Sequence, residues 1–119
     1  MKQNNIVKEK SYKFALRIIE LYKYLNYEKK EYALGKPLLL CGTSIGANIE
    51  EAIGGQTEKD FYTKITIAYK ETRETNYWLR LLKDSGILDT KIANSLLKGC
   101  DELLKIIGSI QLTLKNRNS

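Results

Sequence analysis

Apolar residues recur along this chain at spacings of three and four, the period of helices lying against a core. Between Ile6 and Tyr27, Phe14, Ile18, Leu21 and Leu25 form one stripe, widened by Ala15, Ile19 and Tyr22. The opposite face carries Glu9, Lys13, Arg17, Glu20 and Tyr24, with Glu9 and Lys13 at the favourable i,i+4 spacing. From Leu38 to Ile53, Leu38, Cys41, Ile45, Ile49, Ala52 and Ile53 share a face, and Gly42 and Gly46 flank it. A neighbouring helix backbone can come close there. Each glycine costs a helix roughly 1 kcal/mol against alanine, so packing must hold this segment. It reads as the buried central helix.

The punctuation between stripes sets the boundaries. Residues 1 to 5 are polar and read as loose. Asn26 to Glu31 reads as a turn, and Gly35 and Pro37 precede the second helix. Proline is tolerated only in a first turn or at a kink, so that helix starts near Lys36, or near Lys30 with a bend. Gly54-Gly55 stops it. Thr57-Glu58-Lys59-Asp60 has capping-box spacing and opens a third helix that runs to about Ser85, with Gly86 ending it. Asp89 is the expected N-cap of a fourth helix over Thr90 to Leu114. Its apolar face is Ile92, Leu96, Leu97, Cys100, Leu103, Leu104, Ile107, Ile110 and Leu114, and the tail from Lys115 to Ser119 reads as frayed. The pattern predicts one all-α domain over residues 1–119, an antiparallel up-and-down four-helix bundle with both chain ends at one end.

The third helix has three faces. Phe61, Ile65, Ala68, Thr72, Asn76 and Leu79 make the core stripe. A second apolar stripe, Ile67, Trp78 and Leu81, is bordered by Glu71 and Glu74. One bundle needs one stripe per helix, so the second is a candidate subunit contact; the alternative is that Trp78 packs over a neighbouring helix of its own chain. The third face carries Lys59, Tyr62, Lys70, Arg73, Tyr77 and Arg80. Lysine and arginine neutralise phosphates and tyrosine stacks on unpaired bases, which makes this face a candidate nucleic-acid surface. Lys10, Lys13 and Arg17 are the runner-up. A solvated basic face is the plain alternative for both. On the central helix, Ser44, Asn48 and Glu51 form a polar file, read as buried groups that bond across helices and fix register.

Composition narrows the chemistry. Twenty basic residues against fourteen acidic ones give +6 over 119 residues. The excess is uneven: residues 1–36 carry a net of +5, whereas residues 37–55 hold two glutamates and no base. There is no histidine, so the commonest general base and metal ligand is missing and a Glu-x-x-His di-iron site cannot be built. Cys41 and Cys100 both lie on apolar faces and read as buried, reduced residues. Glu50, Glu51, Glu71 and Glu74 are the one conceivable all-carboxylate group, and glutamates in such places more often bond to neighbouring helices. No P-loop ending follows Gly42, and no nucleophile has a local base. We expect no catalytic residue, no metal and no cofactor. The longest uncharged apolar run, Leu38 to Cys41, is far below the ~20 residues of a membrane span, and no signal peptide is visible. A cytoplasmic location is expected.

Thr43-Ser44-Ile45-Gly46-Ala47-Asn48-Ile49-Glu50-Glu51-Ala52, then Asp60-Phe61, then Tyr77 through Gly86, resemble in order and spacing the bacterial four-helix-bundle proteins. That family takes its name from members encoded in intervening sequences of 23S ribosomal RNA genes. The likeness spans about Tyr12 to Leu112. It implies an up-and-down bundle, commonly a homopentamer. It also implies kinship with accessory proteins of diversity-generating retroelements, basic proteins that bind nucleic acid and a reverse transcriptase. Relatives commonly carry a basic residue where this chain has Leu40, and Pro37 falls inside their second helix. Five copies of a +6 chain would present +30, enough to concentrate anions strongly at low salt.

Two function classes follow. The first is a non-catalytic, oligomeric accessory factor that binds RNA or DNA or scaffolds a protein partner. The second is an oligomeric protein-interaction module whose basic surface only keeps it soluble.

Overall fold

In the computed structural model, which describes residues 2–117, the chain forms four α-helices. They are α1 (Lys2–Tyr27), α2 (Gly35–Ile53), α3 (Glu58–Asp84) and α4 (Thr90–Arg117). Contacts between neighbours fix the directions. Ser11 meets Gly46 and Ile18 meets Gly42, so α1 and α2 run antiparallel. Lys64 reaches Glu51 across α2 and α3, Asn76 reaches Asp101 across α3 and α4, and Arg17 reaches Ser95 across α4 and α1. The result is the expected up-down-up-down bundle, 47 × 21 × 21 Å. Its long axis suits helices of 26–28 residues rising 1.5 Å each. The α2–α3 seam is the most extensive and the α1–α4 seam the slightest.

The core is the four stripes facing inward. Phe14, Ile18, Leu21 and Leu25 meet Leu38, Cys41, Ile45 and Ile49, and Ile65, Leu79, Leu103 and Ile107 close the other side. Gly42 is where α1 comes closest: a Cβ there would lie 2.8 Å from both Cγ1 and Cγ2 of Ile18. Gly46 faces the Ser11 carbonyl in the same way, less tightly, at 3.4 Å. Buried Thr72 and Thr75 satisfy their hydroxyls on carbonyls one turn earlier, Ala68 and Glu71. Both cysteines are free and buried. Burial pushes the Cys41 thiol up to about 11 and the Cys100 thiol up to about 12.

Several boundaries differ from expectation. Helix α1 already starts at Lys2, not near Ile6. Its first turn stacks on α4, where Gln3 donates to the Ser109 hydroxyl and Val7 is buried. Helix α4 continues to Arg117, so the expected fraying of 115–117 is not seen; Met1, Asn118 and Ser119 lie outside the described residues. Helix α2 begins at Gly35 with Pro37 in its first turn, where no N–H is needed. The Glu31 carboxylate accepts from the amides of Ala33 and Leu34, which holds the loop leading into α2; no side chain caps the helix itself. At the other end Gly54 does terminate α2, yet with φ −82° and a hydrogen bond back to Glu50, so no left-handed residue is involved. Gly86, at φ +79°, is the left-handed C-terminal residue after α3. Thr57 caps α3 by accepting from the Asp60 amide, and Asp89 caps α4 by accepting from the Lys91 amide.

Candidate nucleic-acid interface

The basic face of α3 forms as the helical period requires. Lys59, Lys70, Arg73, Tyr77 and Arg80 are exposed along one side, a stripe of roughly 32 Å at 1.5 Å per residue. Tyr62 departs from its expected role. It is half-buried and packs on the core, which leaves less of its ring exposed than that of Tyr77. Tyr77 remains available at 48% exposure. Its ring meets Trp78 edge-on, centroids 5.5 Å apart, and the Arg80 guanidinium lies 5.9 Å from its centroid.

The cations of this face are free of carboxylates. Among the described residues no ion pair engages Lys59, Lys70, Arg73 or Arg80, although Glu74 and Asp101 stand at the margins of the stripe. The runner-up set on α1 is different. Lys10 bonds Glu102 at 2.7 Å and Lys13 bonds Glu9 at 2.8 Å, while Arg17 donates to the Ser95 hydroxyl. The hydrogen bond and charge of Lys10 hold Glu102 below the usual carboxylate range, and those of Lys13 do the same to Glu9. Two of the three α1 cations thus have their charge locally offset. A phosphate would have to compete for them.

Asn76 was expected in the core stripe. It is half-buried at the α3–α4 seam, donating from Nδ2 to Asp101 and accepting at Oδ1 from Arg80 Nε. Thr75 and Leu82 take the inward places beside Leu79 instead. The signal for Asn76 was present in its spacing, since Arg80 follows it by one turn; its partner Asp101 lies on another helix and could not be paired from the sequence.

The second apolar stripe is partly exposed. Trp78 packs against the core along one edge and donates to Glu74 at 3.2 Å, while Leu81 is 37% exposed. Ile67 is half-buried. Across the seam, α2 presents Leu40 at 59% exposure, with Thr43, Ser44 and Ala47 beside it. Between Pro37 and Ile49 this outward side of α2 carries no charge. Glu71, at the margin of that surface, has its carboxyl raised by desolvation and by the neighbouring Glu74.

The polar file on α2 needs correcting. Ser44 donates to the Leu40 carbonyl at 2.6 Å and Asn48 to the Ser44 carbonyl at 2.8 Å, both within their own helix. Only Glu51 crosses, to Lys64 at 2.9 Å, and it is exposed. Register between α2 and α3 therefore rests chiefly on apolar packing, with Glu51–Lys64 as a surface pair and the Cys41 thiol against Thr75.

Outside these faces, the α1–α4 seam opens into a largely apolar groove of about 500 Å³, lined in part by Leu21, Tyr24, Ile92 and Leu96. It accounts for the 39% exposure of Ile92, which periodicity had placed on the buried face. Among the described residues no three potential ligands gather to hold a metal, and no helix is long and apolar enough to cross a membrane.

Four antiparallel helices packed around one core make this chain a four-helix-bundle protein. Residues 3–109 match the family described as 23S rRNA-intervening sequence protein, and the chain belongs to that family. It is also similar to the crystal structure of a protein with unknown function from the S23 ribosomal protein family of Bacteroides thetaiotaomicron VPI-5482. The two are 44% identical with a TM-score of 0.90, over 92% of this chain and 97% of that one. No curated protein matches the chain.

Proposed function

We propose that this protein is a non-catalytic accessory factor that binds RNA or DNA through the basic face of α3, acting in the cytoplasm as a homo-oligomer. The observation that carries this reading is the contrast between two basic faces: among the described residues Lys59, Lys70, Arg73 and Arg80 form no ion pair, whereas Lys10 and Lys13 on α1 do. Unpaired lysine and arginine exchange small counterions for phosphate with a gain in entropy, which favours the α3 face. The exposed and half-buried apolar side chains of Leu40, Ile67, Trp78 and Leu81, with Glu74 among them, support self-association, and five copies follow the family resemblance. Assembly would repeat the α3 face around a ring and multiply a modest patch. A scaffold for a protein partner is compatible with the same surfaces.

Charge reversal on each face tests the reading. Lys70→Glu with Arg73→Glu should abolish binding of a labelled single-stranded RNA, while Lys10→Glu with Lys13→Glu should weaken it only modestly. Equal losses from the two pairs would show that bulk charge, not the α3 face, does the binding.

A further inference from the structure

We propose that Arg73 and Arg80 form a seat for one phosphate group at the α3–α4 seam, filled by a backbone phosphate of a nucleic-acid strand. This rests on the α3 reading above and narrows it to a single built position. The notch is lined by Tyr69, Arg73, Asn76, Arg80, Asp101 and Leu104 and has a volume of about 230 Å³. That is below the ~300 Å³ at which small-molecule pockets begin, and it suits a phosphate rather than a larger ligand.

Arg80 is held in place before any ligand arrives. Its Nε donates to Asn76 Oδ1 at 2.8 Å, and its guanidinium stands over the Tyr77 ring. Asn76 is itself oriented, because its Nδ2 donates to Asp101 Oδ1 at 3.2 Å and so turns its oxygen toward Arg80. Asn76 and Asp101 are thus positioning residues. The terminal nitrogens of Arg80, and all those of Arg73, have no acceptor among the described residues. A planar fork with a fixed stem loses little freedom on binding and matches two phosphate oxygens. A lysine in that place would keep the charge and lose both the fork and the bond to Asn76. The Asp101 carboxylate opposes an anion in the notch, so its charge sets a limit on affinity.

The test uses the full chain, reading arginine Nε resonances by 1H–15N spectroscopy. The protein is titrated with inorganic phosphate and, separately, with a single-stranded hexathymidylate, at ionic strength matched with chloride. Saturable shifts at Arg73 and Arg80 with both probes are expected. Arg80→Lys should weaken both at least five-fold. Asp101→Asn, which keeps an acceptor for Asn76, should tighten both. Lys70→Ala should weaken only the oligonucleotide. Response to phosphate alone would support the seat with a small anion as its source, and would overturn the nucleic-acid reading. Oligonucleotide binding that leaves both arginine signals unmoved, with Arg80→Lys like wild type, would overturn the seat and leave that reading standing. Phosphate affinity left unchanged by Asp101→Asn would overturn the seat too, since an anion in the notch must feel that charge. No shift with either probe overturns both.

Discussion

Gly42 on α2 lies so close to Ile18 on α1 that a β-carbon at this position would fall 2.8 Å from two carbons of the isoleucine side chain. The absence of a side chain there sets the α1–α2 distance. Gly42→Ala should destabilise the fold by about 1–3 kcal/mol, the range for overpacking a core, despite the helix preference of alanine. Gly108→Ala should go the other way. A Cβ there meets only the Tyr69 ring, at an ordinary 3.5 Å, so the helical gain of up to about 1 kcal/mol survives. Urea denaturation of the two variants gives both signs; a neutral Gly42→Ala would show that α1 can shift freely.

Cys41 and Cys100 should be inert in the folded protein. Their raised pKa values, about 11 and 12, keep them as thiols at pH 8, and burial denies access to reagents. Reaction with a disulfide reagent should be slow in buffer and complete within seconds in denaturant. Native-state labelling at the rate of a free thiol would contradict the packing described.

Glu71 should make stability fall as pH rises through the acidic range. Desolvation, then the Glu74 charge, raises its folded pKa above 4.5, so the folded state holds its proton longer than the unfolded chain. The contribution is fully favourable below the unfolded pKa and is lost as pH climbs through the folded one. Glu71→Gln should therefore be more stable than wild type at pH 7, with the gap closing toward pH 4. A gap of constant size across that range would assign the effect to packing instead.

The partly exposed apolar side chains of Ile67, Trp78 and Leu81 on α3 predict the assembly surface. Leu81→Asp should convert the proposed oligomer to monomers with helix content unchanged, because that side chain is 37% exposed in the single chain. Sedimentation equilibrium reads the result. A wild-type mass of 13.7 kDa at micromolar concentration would remove self-association altogether.

Most of the fold was legible because each helix carries one stripe in phase, and because Gly42, Pro37, Thr57 and Asp89 each mark a physical constraint at their own position. The misses have physical causes. The first turn of α1 is polar, and only its docking on α4 through Gln3 and Val7 shows that it is helical. Thr75 lies outside the stripe read from the sequence, yet it is fully buried with its hydroxyl satisfied by its own helix. Asn76 and Ile92 lie at stripe edges, where a few degrees of rotation decide between core and seam. The basic face on α3 could be read from angle alone. Its advantage over α1 could not, since that depends on Glu102, brought to Lys10 only by folding. The same holds for Tyr62, whose packing against the core only the fold shows.

The measurement closest to the central claim is fluorescence anisotropy of the intact protein with single-stranded and duplex RNA and DNA across a salt series. Contacts made chiefly to phosphate predict weak sequence dependence and a log K that falls by about 0.7–0.9 per phosphate neutralised for each decade of salt. Arg73→Ala and Arg80→Ala should each flatten that slope without changing helix content or oligomer size. Tyr77→Ala should weaken single strands more than duplex, because stacking needs an unpaired base face. No measurable binding at low salt by the intact oligomer would contradict the account and leave a protein-interaction module in its place.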